Sequence, residues 1–254
     1  MPAIVADLGN SRLKLGRVDQ DRRLGATVSL QLGDPESWRR GLAELGISSP
    51  REASWAISSV NPPLARSLAG FLDQEGVQAS CWFDSASQVP MDMDVEGAET
   101  GGADRALGVL AARSLAAPGQ PVLVVSCGTA VTIESVDDRG VWRGGSIGPG
   151  LGVSARALHL MTAQVPIIAI DSQPPPRGRG TVSSLEAGIF WGLVGGVRLL
   201  IELQSALLGG VPAVFWTGGD APLVAPAVAG PTARLTPNLV LQGLALLVPL
   251  ETNP

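Results

Sequence analysis

The chain has no tyrosine, one histidine, two cysteines, and charged residues at only 16% of 254 positions. Each scarcity removes a class of function. With His159 alone, a histidine-based metal centre has too few ligands, and a hydrolase relying on a histidine base has little to work with. Cys81 and Cys127 match no metal-ligand spacing, and so few cysteines suit a reducing compartment better than a disulfide framework. A net charge of −5, with no basic run and no aromatic ladder, argues against a nucleic-acid surface. Long apolar runs are missing too. The most continuous, Ala187–Val197, is flanked by Glu186 and Arg198, and falls short of the ~20 residues that cross a bilayer. Asp7 interrupts any apolar run at the start, where a leader would need one. The composition predicts a soluble, cytoplasmic protein with neither nucleic acid nor membrane as partner. Hydrophobic residues (45%), 32 glycines and 20 prolines supply a substantial core cut by frequent turns.

The segment that organises the rest is Val122–Glu134, VLVVSCGTAVTIE. Four apolar residues run into Ser126-Cys127-Gly128-Thr129, and an alternating segment follows. That pattern predicts a buried strand, a glycine turn and a second strand. A Gly-Thr turn lets backbone N–H groups and a hydroxyl approach a phosphate unobstructed. The motif occurs twice, since Pro2–Lys14 aligns with Pro121–Ile133 at one constant offset, with Gly9-Asn10-Ser11 over Gly128-Thr129-Ala130. A repeat on this scale predicts two like-folded domains, drawn here as 1–117 and 118–254, with matching turns facing a shared cleft. The predicted fold is α/β: two ribonuclease-H-like domains of the actin and acetate-and-sugar-kinase superfamily, with an active-site cleft between them.

The first half reads as strands Ala3–Leu8, Arg12–Val18 and Ala26–Leu32, helix Pro35–Leu45, strand Ser54–Val60, helix Leu64–Gln74 and strand Gln78–Phe83. Asp84–Thr100 shows no periodicity and reads as a loop before helix Ala103–Leu115. The second half repeats three strands (Val122–Val125, Val131–Val136, Val141–Ser146) and adds helix Leu151–Thr162. A strand at Ile167–Ile170, helix Ser183–Leu207, strand Ala213–Trp216 and helix Asn238–Val248 complete it. Gly188, Gly192, Gly195 and Gly196 lie along the long helix, each costing about 1 kcal/mol against alanine. Close helix–helix approach, at a subunit interface for example, would account for them.

Several residues suggest chemistry, each with a plainer alternative. Asp7 to Ser11, with Lys14, is a donor-rich turn for a triphosphate with Asp7 near its Mg²⁺, or an ordinary Asn-containing hairpin. Asp104, opening a helix in Gly102-Ala103-Asp104-Arg105, is a general base for an alcohol beside an arginine that holds an acid. Its plainer role is a helix cap. Thr181 either bonds a substrate or starts its helix, and Thr217-Gly218-Gly219-Asp220 either holds an adenosine or turns a strand into a helix.

Taken in order, DLGNSRLKLG, SSVNPPL, GADR, CGTAVT, GGSIGPGL, ALHLMTAQVP, GTVSSLEAGIFWG and TGGD resemble the motif series of type III pantothenate kinases nearly end to end. The resemblance implies a homodimer that phosphorylates pantothenate with ATP to 4'-phosphopantothenate, the first step of coenzyme A synthesis. It also implies Mg²⁺ and a monovalent cation such as K⁺ or NH₄⁺. By position, Asp104 would be the proton acceptor, and Gly102, Ala103, Asp104, Arg105 and Thr181 would contact pantothenate. Asp7, Leu8, Gly9, Asn10, Ser11, Lys14, Gly128 and Thr129 would contact ATP. The chain departs from the family pattern at two places. Ser126 stands where the family has a cation-binding aspartate, and Glu96–Gly101 lacks the tyrosine and proline that usually precede the Gly-x-Asp-Arg motif. Two alternatives follow from these departures: a non-catalytic, kinase-like nucleotide-binding regulatory protein, or a kinase acting on another small hydroxy acid.

Overall fold

In chain order, the computed structural model, which describes residues 2–31, 34–78 and 80–250, contains β1 (Ala3–Leu8), β2 (Arg12–Val18), β3 (Leu24–Gln31), α1 (Pro35–Glu44), β4 (Ser54–Ser59), α2 (Pro62–Gln74), β5 (Ser80–Phe83) and α3 (Ala103–Leu115). It continues with β6 (Val122–Cys127), β7 (Ala130–Val136), β8 (Trp142–Pro149), α4 (Leu151–Met161), α5 (Thr181–Ala206), β9 (Ala213–Thr217), α6 (Ala221–Ala229) and α7 (Leu239–Leu247). Two predicted strands included Leu32 and Ala79, which lie outside the described residues.

The sequence repeat is a repeat of strands. β1 and β6 start and end at the same offset of 119 residues (122 − 3 and 127 − 8), and their burial runs identically along the strand. Each pairs antiparallel with the next strand and parallel with a later one. The sheets are ordered β3-β2-β1-β4-β5 and β8-β7-β6-β9. Beyond β9, the described residues supply only a parallel bridge from Leu235 to Trp216, reinforced by Thr236 N–H donating to the Trp216 carbonyl. That segment takes the place β5 holds in the first sheet.

Two compact units result. The first comprises Met1–Met91, Glu96–Ala111 and Asn238–Pro254; the second, Asp92–Val95 and Ala112–Pro237. The sequence division at 117/118 differs from this in three segments, 92–95, 112–117 and 238–254. α7 is apolar on both sides, with Leu239, Leu241 and Leu244 fully buried, and it covers a face of the first sheet. Its Gly243 lets it meet the Leu107 backbone of α3, where a Cβ would clash. Asp92–Val95, expected as plain loop, bridges to Trp142 at the edge of the second sheet, and Arg143 binds Asp94 and Asp137 together at 2.6 and 2.7 Å.

In the first unit, Ile4, Ala6, Leu8, Leu13, Leu15, Trp55 and Ile57 fill one sheet face against Trp38, Leu42, Leu68 and Phe71 of α1 and α2. Asp34 and Asn61 cap those helices by accepting from Ser37 and Leu64 N–H, each ahead of a proline that cannot donate anyway. In the second unit, Leu123, Val125, Cys127, Val131 and Ile133 pack against Phe190, Val194 and Val197 of α5 and Val224 of α6. α6 escapes the sequence pattern because Pro226 sits inside it. The predicted strand Ile167–Ile170 forms no ladder; the segment has no regular structure, and Ile170 packs on the core instead.

At 26 residues α5 is longer than the apolar stretch suggested, and by length and composition it could cross a membrane. Here Ala187, Phe190, Val194 and Val197 are buried in the core, while Val182, Leu199, Leu200 and Leu203 are exposed. Gly188, Gly192, Gly195 and Gly196 all face open space rather than a neighbouring helix of this chain.

Candidate active site

The polar residues of the first unit gather where β1 ends. Along β1, Ile4, Ala6 and Leu8 point into the core, which leaves Asp7 on the opposite face. Register places Lys14 of β2 on one side of Asp7 and Ser58 of β4 on the other. Paired residues share a face, so Lys14, Asp7 and Ser58 form a row across three strands. The Asp7 carboxyl is pushed up to about 7, first by burial and then by the charge of Asp104, with Lys14 opposing both.

Asp104 comes to this row from the first turn of α3. Ala103, Ala106, Leu107 and Val109 are fully buried and seat the helix, so its N-terminus is fixed. Asp104 Oδ1 accepts from Arg105 N–H at 2.9 Å. Burial raises the Asp104 pKa above the carboxylate range, opposed by that hydrogen bond and by the Arg105 charge. Gly102 has a specific reason to be glycine, since a Cβ there would strike the Asp104 carboxylate. The result is two carboxylates of different character within electrostatic reach, one beside a lysine and one beside an arginine. Asp104 lies inside the first turn of α3, and one of its oxygens is engaged by the adjacent backbone N–H.

The turn after β1 holds Gly9 N–H on the Arg12 carbonyl at 3.0 Å, with Asn10 and Ser11 exposed. Leu8 is different: its side chain is core and its carbonyl accepts from Val60 N–H at 3.1 Å.

The second unit has the equivalent turn one residue shorter. Four residues separate the pair Leu8 and Leu13, and three separate Cys127 and Val131. Gly128 N–H reaches the Ala130 carbonyl at 3.0 Å. Two other glycines press backbone against this turn. A Cβ on Gly150 would run into the Gly128 carbonyl, and one on Gly218, where φ is +97°, into the Cys127 carbonyl. Gly150 N–H also donates to the Thr129 carbonyl, and Asp220 N–H to that of Cys127, both at 3.0 Å. Ser126 lies beside Thr132 of β7 and Thr217 of β9 in register, an array of neutral hydroxyls. No cluster of three or more metal-ligating His, Cys, Asp or Glu occurs among the described residues.

Three residues with suggestive chemistry fall elsewhere. Cys127 is buried core, and burial followed by the Asp220 charge pushes its thiol up to about 12, so it is no nucleophile at neutral pH. His159 is exposed at the end of α4 and donates from Nδ1 to the Val165 carbonyl at 2.7 Å. Thr181 is the first residue of α5, where Ser183 Oγ accepts from Arg179 and Gly180 N–H at 3.0 and 3.2 Å. Ser58 and Thr132 were not singled out as site residues from the sequence, and Thr217 only as part of a turn for adenosine. Only the strand register, which matches them to Asp7 and Ser126, identifies them.

A sequence profile for type III pantothenate kinase matches residues 3–203. Relatives include the type III pantothenate kinases of Chlorobaculum parvum, 32% identical with 98% of this chain and 95% of that protein covered, and of Gluconobacter oxydans, 33% identical with 99% and 94% covered. Among solved structures, one from Campylobacter jejuni described as a Baf family transcriptional activator superposes with a TM-score of 0.61 at 17% identity, covering 96% of both chains, a likeness of fold. The repeated strand order, the acidic row and the matched profile agree, and the chain belongs to the type III pantothenate kinase family.

Proposed function

We propose that this chain transfers the γ-phosphoryl group of ATP to the primary hydroxyl of pantothenate, giving 4'-phosphopantothenate and ADP. The observation that carries the reading is the Asp7–Asp104 pair, whose environments set the two carboxyls to different work. Asp104, with its raised pKa, accepts the hydroxyl proton as the substrate oxygen bonds to phosphorus and the bond to the ADP oxygen breaks. Arg105 holds the pantothenate carboxylate, and Gly102 and Ala103 leave room for it. Asp7, with Lys14 and the Gly9–Ser11 turn, holds the nucleotide phosphates, and Gly128 and Thr129 also serve the nucleotide.

Two oxygen-bearing acids suit Mg²⁺, a hard cation that would neutralise phosphate charge, and Asp7 is assigned to it. A monovalent cation fits the second unit less closely. Ser126, Thr132 and Thr217 offer oxygens without charge, which suits weak retention of K⁺ or NH₄⁺. Thr181 is assigned to pantothenate only through the family pattern.

The exposed glycines of α5 and the exposed Leu199, Leu203, Leu160 and Met161 leave a broad apolar surface, and large exposed patches mark interfaces. A two-fold homodimer covers them best. The free cysteines Cys81 and Cys127 suit the cytoplasm.

The direct test incubates the purified chain with ATP, Mg²⁺, K⁺ and pantothenate and follows product mass. Phosphorylated pantothenate is expected. Nucleotide binding without that product would instead favour the non-catalytic regulatory reading, and transfer to a different hydroxy acid would favour the third.

A further inference from the structure

The motif Ser58-Ser59-Val60-Asn61-Pro62-Pro63 is largely accounted for by structure. Ser59 Oγ accepts from Asn61 N–H at 3.1 Å, and Asn61 caps α2. The two prolines open α2, and Val60 lies against Gly102. Ser58 alone has no such task. It is fully buried, and its hydroxyl has no hydrogen-bond partner. Buried hydroxyls are nearly always paired, so an orphan beside a site residue calls for a reason.

Register supplies one. Ser58 is the parallel partner of Asp7, with Phe83 of β5 on its far side. Lys14 lies beyond Asp7, and Asp104 approaches from α3. The acceptor next to Ser58 in this row is the Asp7 carboxylate. We propose that Ser58 is a positioning residue for phosphoryl transfer, its hydroxyl donating to the Asp7 carboxylate once bound nucleotide and divalent cation draw that group into its working orientation. The hydroxyl is kept unpaired beforehand so that the carboxylate has one defined place to go. One oxygen of Asp7 takes the serine donor while the other faces the ligand.

The inference rests on Asp7 serving the nucleotide side of the proposed reaction. Its test therefore includes a measurement that needs no turnover. Mn²⁺ serves as the divalent probe, followed by electron paramagnetic resonance, with a non-hydrolysable ATP analogue. Ser58→Ala should weaken Mn²⁺–nucleotide affinity and lower kcat, each by about tenfold, as loss of a donor to a charged group predicts. KM for pantothenate should stay within about twofold, and the thermal midpoint should be unchanged or higher, because alanine removes an unsatisfied buried group. Ser58→Thr, which keeps the hydroxyl, should recover most of the Mn²⁺ affinity. Unchanged Mn²⁺ affinity in Ser58→Ala would overturn the proposal, as would a lower thermal midpoint with all parameters falling together. If wild-type protein fails to phosphorylate pantothenate, the Mn²⁺ measurement still decides the role of Ser58.

Discussion

Ser126 holds in the second sheet the place Asp7 holds in the first. Each is the penultimate residue of the central strand, partly buried, with a neighbour in register on either side. One is an acid flanked by a lysine and a serine; the other is a serine flanked by two threonines. Folding has kept the position and sequence has changed its charge.

That difference makes a prediction about cation use. Ser126→Asp adds a carboxylate among neutral oxygens, and charge-assisted contacts are roughly twice as strong as neutral ones. The K⁺ concentration for half-maximal activity should fall severalfold. An activity titration with KCl in both proteins measures it; identical curves would remove Ser126 from the cation's surroundings.

Asp7 predicts a pH dependence of stability. Its carboxyl rises to about 7 in the folded protein from 3.8, so between those values the folded state holds a proton the unfolded chain has released. Its contribution to stability is therefore lost as pH climbs from about 4 to about 7, and is flat above. Asp7→Asn should stabilise the ligand-free protein at pH 8 by roughly 4 kcal/mol and have little effect at pH 4. Urea unfolding at the two pH values gives both numbers.

The close backbone packing at the second turn predicts intolerance at Gly218. Alanine there would meet the Cys127 carbonyl at a φ that L-residues rarely adopt. Gly218→Ala should cost roughly 1–3 kcal/mol and weaken nucleotide binding through the displaced Gly128–Thr129 turn. Neighbouring Gly219, where a Cβ meets nothing within 4 Å, is the control: Gly219→Ala should be far milder by the same urea and nucleotide titrations.

The outer surface of α5 predicts association. Light scattering at micromolar concentration should give a dimer, and Leu203→Glu, at an exposed position, should shift it toward monomer without lowering the unfolding midpoint of the monomeric form. A monomeric wild type would leave the apolar surface without its proposed cover.

Much of this was legible in the residues because the signals were local. The strand–turn–strand motif recurs at a fixed offset, and Asp104 announces itself by opening a helix after a glycine. What stayed hidden was set by pairing across distance. Ser58 becomes a neighbour of Asp7 only when β4 lies parallel to β1, and nothing in SSVNPPL says which serine faces which way. α6 was lost to its internal proline. Ile167–Ile170 looked like a strand from its apolar residues, but only Ile170 packs on the core and Ile167 is exposed, so an apolar run alone does not establish pairing. α7 was recognised as a helix, but its place in the first unit depends on Gly243 lying against Leu107, a contact made across most of the chain.

The central claim is that Asp104 takes the proton from the substrate hydroxyl. A single-turnover experiment on Asp104→Asn, with ATP and pantothenate both bound, tests it most directly. Phosphoryl transfer should slow by roughly 10²–10⁴-fold, while ATP affinity, measured separately by calorimetry, stays within about twofold. Transfer at the wild-type rate in that variant would contradict the assignment.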